Sequence, residues 1–123
     1  MYNERFMERA GNMAKMGIES GCGGPFGAVI VKDNIIVGMG HNEVLSSHDP
    51  TAHGEIVAIR DVCKKLETHN LSGCELYTTG ECCPMCLNAI MWAGIDKVYY
   101  AKTLIENSLL GFNDTPFYTA TQE

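Results

Sequence analysis

Two short clusters carry the residues best suited to chemistry. The first, starting at His53, reads His-Gly-Glu, and the second, from Cys83 to Cys86, reads Cys-Pro-Met-Cys. One imidazole and two thiolates are ligands that zinc accepts, and the carboxylate of Glu55 can act as acid or base toward a water molecule at the metal. A structural zinc site uses four protein ligands, whereas three leave one position open for chemistry. The clusters therefore predict a catalytic zinc site.

The spacing of the clusters matters more than either cluster alone. Cys83 and Cys86 lie three positions apart across the first turn of a predicted helix, so both can face one ion. A Cys-x-x-Cys pair alone also occurs in redox proteins, and a lone His-x-Glu also fits a helix N-terminus at which Glu55 stabilises the dipole. Together, thirty residues apart with one predicted strand between them, they indicate a zinc site with an acid/base much more strongly than either cluster does alone.

The hydrophobic pattern predicts the elements that position these clusters. Apolar residues at helical spacing in the first segment are Phe6, Ala10, Met13, Ala14 and Ile18, and in the helix after Asp49-Pro50 they are Ile56, Ile59, Cys63 and Leu66. The predicted order is helix 2–20, strands 26–31 and 35–39 as a hairpin, a polar loop 41–47, the second helix, strand 75–79, helix 83–92, strand 97–101 and helix 103–110. This order predicts an α/β fold, a three-layer α-β-α sandwich with a mixed central sheet whose last two strands are parallel.

Length and composition favour one globular domain, 1–123. The chain is 46% hydrophobic and 20% charged, with no apolar stretch that predicts a signal peptide or membrane span. Its net charge of −6 disfavours polynucleotide partners. Six cysteines without a secretory segment favour free or metal-bound thiols in the cytoplasm over a disulfide framework.

With these motifs the chain resembles the zinc-dependent cytidine/cytosine-type deaminase superfamily, and within it the bacterial guanine deaminases. The matching segments are Gly23–Asp33, Asp49–His53, Cys83–Cys86 and Gly111–Asp114, within a resemblance that runs from about Met1 to Tyr118. The resemblance implies one Zn²⁺ per chain, held by His53, Cys83 and Cys86, and hydrolysis of guanine to xanthine and ammonia. It also implies a cytidine deaminase-like fold and a homodimer, with exchange of the C-terminal segment as one arrangement.

The resemblance implies a role for individual residues around the base. Glu55 transfers a proton to N3, while Asp114 holds the N1–H and amino edge and helps protonate the leaving group. The residues implied in binding the base are Asn42, Phe26, Asp114, Trp92 and Phe112. Four of these residues could instead have a purely structural role. Phe26 and Trp92 could be core residues, Asn42 could form a turn and Asp114 could cap one.

Several points leave the substrate open. Cytosine, adenine or adenosine in tRNA would use the same zinc chemistry, although the acidic chain disfavours tRNA. A non-catalytic zinc-binding module is the alternative of another class, and it predicts no role for Glu55. The chain also departs from the family at Cys82, where Pro is usual, and at Gly54, where Ala is usual. We expect Cys82 to be a spectator rather than a competing ligand. The C-terminal tail is expected to be shortened relative to the family, so that the lid over the base is shorter, absent or supplied by a partner subunit.

Overall fold

A computed structural model describes residues 1–102 of the chain. The elements are α1 (Glu4–Glu19), β1 (Gly27–Lys32), β2 (Ile35–His41), α2 (Val44–Ser47), α3 (Gly54–Leu66), β3 (Cys74–Gly80), α4 (Pro84–Ala93) and β4 (Lys97–Lys102). The helix expected at 103–110 and the base-binding residues expected at Phe112 and Asp114 lie outside the described residues. In the part that is described, no helix has the length and apolar character needed to cross a membrane.

The sheet has the strand order β2-β1-β3-β4. β1 pairs antiparallel with both β2 and β3, whereas β3 and β4 run parallel around the connection through α4. α1 packs on one face of the sheet, and α3 and α4 pack on the other. The prediction of an α/β sandwich with a mixed sheet is therefore confirmed.

α1 covers the sheet with a face slightly different from the predicted one. Phe6, Ala10 and Ala14 are buried, as expected, but Ile18 is 53% exposed and Gly17 is buried in its place. Gly17 lies three residues after Ala14 and therefore continues the inner stripe of the helix. A Cβ at Gly17 would come within 3.0 Å of the His41 ring, so the small residue lets α1 approach the end of β2.

Two glycines of β2 bring α3 close to the sheet. A Cβ at Gly40 would lie 2.6 Å from the amide nitrogen of Ala58, and one at Gly38 would overlap the side chain of Val62. Glycine is therefore required at both positions for this close approach. The deepest residues of α3 are Ala58 and Val62, whereas Leu66, predicted in the apolar stripe, is 43% exposed at the last turn.

The segment between β2 and α3 differs from its prediction. A four-residue helix, α2, forms inside the expected polar loop. Asp49-Pro50 does not begin the next helix, because Asp49 Oδ1 accepts hydrogen bonds from the amide and the hydroxyl of Thr51 at 2.8 and 2.7 Å. This turn continues to His53, and α3 begins at Gly54. As a result, His53 occupies the N-cap position of α3.

Candidate active site

Both chemical clusters lie at one end of the sheet. Because β1 is antiparallel to its neighbours, its first residue lies beside the last residues of β2 and β3; Gly27 pairs with His41, and Ala28 with Thr78. The connections after β2 and β3 lead to α3 and α4, whose N-termini return to the same end. Each N-terminus carries one of the two clusters.

His53 and Cys83 have equivalent positions in their helices. Each is an N-cap residue with extended backbone, and in neither case does the side chain form a capping hydrogen bond. Pro84 occupies the first helical turn, where a missing amide hydrogen costs nothing. Cys86 follows one turn later and is fully buried. The predicted helix 83–92 is thus confirmed to within one residue at each end.

The three predicted ligands come together around one point. His53 Nδ1 lies 3.5 Å from the Sγ atoms of both Cys83 and Cys86, and the three donor atoms are all within 4.8 Å of one another. Tetrahedral zinc with ordinary bond lengths separates a nitrogen and a sulfur ligand by about 3.6 Å. The donor set, one imidazole and two thiols, is also one that zinc prefers. These residues fit a zinc ion.

Without metal, Cys86 holds its thiol proton more tightly than Cys83 does. The Cys86 thiol donates a hydrogen bond that, with His53 nearby, lowers the pKa of Cys83 to about 4 against the opposing effect of burial. The same interaction, together with burial, raises the pKa of Cys86. Zinc binding must therefore release the proton held at Cys86, and zinc affinity must weaken as the pH falls.

Glu55 is the charged group next to these ligands. It lies in the first turn of α3 with 6% of its surface exposed. Burial raises its pKa above the usual value for glutamate, partly offset by hydrogen bonds from its own amide and from Cys86. A carboxyl group with a raised pKa holds a proton more readily than an ordinary glutamate, which suits a group that must accept and return one.

Cys82 lies beside this carboxylate and is only 4% exposed. Burial, followed by the negative charge of Glu55, raises its pKa and keeps it a neutral thiol. The described metal-ligating group contains Cys83 and Cys86 but not Cys82. The spectator role expected for Cys82 stays a prediction.

A pocket opens next to the three donor atoms. Its lining consists of Phe26, Asn42, His53, Glu55, Gly80, Glu81 and Cys83. Phe26 immediately precedes β1, and Asn42 immediately follows β2. The structure therefore brings two of the five predicted base-binding residues, Phe26 and Asn42, to the same pocket as the ligands His53 and Cys83.

Sequence reasoning missed Gly80 and Glu81 in this lining. They end β3 and connect it to Cys83, so a strand that leads directly into a ligand was the available signal. Glu81 adds a second carboxylate to the pocket.

Trp92 lies apart from the pocket. It is 89% exposed on α4 and is absent from the pocket lining among the described residues. It lies nine positions after Cys83 along the helix, a rise of about 13 Å. A contact between Trp92 and a base in the pocket of its own subunit is therefore not supported. The alternative of a core position is also wrong.

A comparison with known protein families identifies the family that has this set of site residues. Residues 1–102 match the family model described as the cytidine and deoxycytidylate deaminase zinc-binding region. The chain belongs to this family. Its fold and its zinc-ligand set are those of a zinc-binding deaminase, as the motifs predicted.

Individual deaminases of known activity are also similar to this chain. The chain is 49% identical to the guanine deaminase of Bacillus subtilis over 118 residues, which is 96% of this chain and 76% of the relative. The crystal structure of a guanine deaminase from Bacillus subtilis superposes with a TM-score of 0.93, covering 97% of this chain and 76% of the other at 49% identity. A tRNA-specific adenosine deaminase from Aquifex aeolicus is 44% identical over 101 residues, 82% of this chain and 66% of the relative.

Proposed function

We propose that this deaminase hydrolyses guanine to xanthine and ammonia in purine metabolism. The observation that carries the proposal is a buried carboxylate, Glu55, in the same pocket as a three-ligand zinc site. A site with three protein ligands leaves a position for water, and a structural zinc would not require the acid/base. The choice of guanine is supported by the 49% identity to the Bacillus enzyme, which exceeds the 44% identity to the tRNA-specific relative.

The reaction assigns a separate task to each side chain. The His53, Cys83 and Cys86 side chains would hold the zinc ion, which when bound would supply Lewis-acid activation of water. Glu55 accepts a proton from the attacking water and transfers it to N3 of guanine as the water oxygen bonds to C2. Glu55 then receives the second proton and returns it to the amino group. The bond between C2 and that nitrogen breaks, so guanine and water become xanthine and ammonia.

The pocket lining supports a proposal for how the base is held. Phe26 offers a ring for stacking, and Asn42 offers an amide at the edge of the base. We propose that Asp114 binds the N1–H and amino edge and that Phe112 packs nearby.

Adenosine in tRNA is the second candidate substrate, because tRNA-specific relatives match the chain. A net charge of −6 opposes binding of a polynucleotide backbone, which needs lysine and arginine contacts. Cytosine remains an alternative with the same chemistry.

A substrate panel tests this assignment. Zinc-loaded protein is incubated with guanine, adenine, cytosine and a tRNA anticodon stem-loop, and ammonia release is followed for each. We expect release from guanine at a rate at least about tenfold above the others, because a pocket that pairs with a base edge discriminates by hydrogen bonds. Preferred turnover of cytosine or of the stem-loop would overturn the choice of guanine.

The outer face of α4 supports a homodimer. Leu87, Met91 and Trp92 are 40%, 70% and 89% exposed, and none of the ten residues of α4 is charged. Apart from Asn88, whose side chain donates to the carbonyl of Pro84, every residue of this helix is apolar, and such a helix is normally covered. Two acidic chains repel each other in general, but a face without charge allows a second copy to bind. We therefore propose that a second copy covers this face. Exchange of C-terminal segments is a further element of this proposal.

Charge introduced on α4 should separate the subunits. We expect Trp92→Lys to convert a dimer of the 13.5 kDa chain into a monomer, because an ammonium group would then have to be buried in an apolar contact. Size-exclusion chromatography with light scattering measures the mass. Ile35→Lys is the matched control, since Ile35 is 65% exposed on β2. A monomeric unmodified protein, or a Trp92→Lys dimer as stable as the control, would contradict the proposed interface.

We further propose that residues 1–123 act as one deaminase domain in the cytoplasm. The six cysteines are free thiols in the structure, which suits a reducing compartment.

A further inference from the structure

Asn42 is held in place through three of its polar groups. Its backbone amide donates to the carbonyl of Phe26 at 3.0 Å, and its own carbonyl lies 3.3 Å from Nδ1 of His41. Its side-chain oxygen, Oδ1, accepts the amide hydrogen of Val44 at 2.9 Å. A backbone amide only donates, so the atom that faces Val44 must be the oxygen of the Asn42 side chain.

This arrangement leaves one polar group of Asn42 for a ligand. Nδ2 has no hydrogen-bond partner among the described residues. Every fully buried polar side-chain atom of these residues has a partner, so Nδ2 is not fully buried and is accessible. Asn42 lines the pocket beside Glu55 and the metal ligands. Asn42 therefore presents N–H donors to the pocket, and the matching atom of a ligand must be an acceptor.

Gly23 lies directly against this side chain. A Cβ at position 23 would come 2.2 Å from Oδ1, 2.9 Å from Cγ and 2.9 Å from the backbone oxygen of Asn42. A flexible side chain could move away at little cost, but Asn42 is anchored at both its backbone and its Oδ1. Only a residue without a side chain fits beside Asn42 in this conformation.

The loop that carries Gly23 is also tied down. The carbonyl of Cys22 accepts the amides of Leu45 and Ser46 at 3.0 and 3.1 Å. These bonds join the loop to α2, the same short helix whose first amide holds Asn42. Because the loop is fastened next to Gly23, it cannot retreat from a new methyl group without losing these hydrogen bonds.

We infer that Gly23 is a positioning residue for Asn42: its lack of a side chain leaves the space in which Asn42 keeps the orientation that turns Nδ2 toward a ligand. The inference rests on the proposed function and extends it to a residue that does not itself contact the base. Purines that keep a carbonyl oxygen or an unprotonated ring nitrogen at this edge should bind, including those without an amino group to lose.

Kinetics with guanine and binding of hypoxanthine test the inference. Hypoxanthine keeps the acceptors of guanine but lacks the 2-amino group, so its binding can be measured by calorimetry without turnover. We expect Gly23→Ala to raise KM for guanine and weaken hypoxanthine binding roughly tenfold or more, with a much smaller change in kcat and unchanged zinc content. Gly11→Ala is the matched control, because a Cβ at Gly11 meets nothing within 4 Å.

Three further variants, Asn42→Asp, Asn42→Ala and the double variant Gly23→Ala/Asn42→Ala, separate the positioning role from a general loss of fold. Asn42→Asp keeps the acceptor for Val44 but removes the Nδ2 donors, and it should weaken hypoxanthine binding to the level of Asn42→Ala. Gly23→Ala should have no additional effect on binding in the Asn42→Ala background. If Gly23→Ala lowers the melting temperature, Asn42→Ala should restore part of the loss, since it removes the two side-chain atoms nearest the new methyl group.

The outcomes distinguish this inference from the proposed function. Wild-type protein that turns over guanine while Gly23→Ala stays within about twofold of it in KM overturns the positioning role alone. Asn42→Asp that binds hypoxanthine like wild type overturns the donor assignment. Zinc-loaded wild type that does not release ammonia from guanine overturns the proposed function, whichever way the hypoxanthine titrations fall.

Discussion

Glu55→Gln is expected to lower kcat for guanine by roughly 10² to 10⁴-fold, the range typical for loss of a general acid/base. Glutamine keeps the size of the side chain but can neither accept the water proton nor deliver it to N3. The zinc ligands are untouched, so the metal content should remain one Zn²⁺ per chain. Stopped assays for ammonia, together with metal analysis of the same samples, measure both quantities. Full activity in Glu55→Gln would contradict the assignment of Glu55 as the general acid/base.

The same variant should not be destabilised. Burial raises the pKa of Glu55, so the charged carboxylate opposes folding at neutral pH. Because the folded state holds this proton more tightly than the unfolded state, stability falls as the pH rises through the window between the two pKa values. Glutamine has no such penalty. For zinc-free protein we expect the melting temperature of Glu55→Gln to equal or exceed that of wild type above this window, with the difference vanishing below it.

Removal of zinc is expected to abolish deamination and lower the melting temperature. A metal present at a thousand times its dissociation constant stabilises the folded state by about 4 kcal/mol. For a chain of this size the loss corresponds to a decrease of roughly 10 °C or more in melting temperature. Dialysis against a chelator, followed by calorimetry and return of one equivalent of zinc, measures the loss and its reversal.

Cys86→Ala tests the ligand set behind this effect. We expect it to reduce bound zinc to well below one per chain, whereas Cys63→Ala, a cysteine packed against the same apolar cluster, should keep the metal. Zinc affinity should also rise with pH in wild type, because binding requires the Cys86 thiol to lose its proton. Equal zinc content in both variants would contradict the assignment of Cys86.

The metal ligands could be predicted from sequence because each lies at a helix N-terminus, where the ligand chemistry and the helix geometry favour the same residue types. A ligand at each helix N-terminus, with proline after Cys83, suits thiolates, a metal and the helix dipole together. The antiparallel hairpin and the parallel pair of strands then follow from short turns and a helical crossover. These features depend on residues close to one another in sequence.

The errors arise where distant contacts decide the structure. Ile18 is exposed because α1 turns Gly17 toward His41, a packing contact that helical periodicity does not reveal. Asp49-Pro50 forms a turn because the side chain of Asp49 bonds to Thr51, an arrangement that competes with helix initiation. Trp92 lies on the outer face of α4, and an aromatic residue in a short apolar helix does not show from sequence which face it occupies.

The origin of the oxygen in the product tests the central claim most directly. Zinc-loaded protein is incubated with guanine in H₂¹⁸O, and the purine product is examined by mass spectrometry. Hydrolytic deamination predicts xanthine that carries one ¹⁸O at C2, formed together with one ammonia. Guanine recovered unchanged under conditions in which zinc is bound, or xanthine without solvent oxygen at C2, would contradict the account.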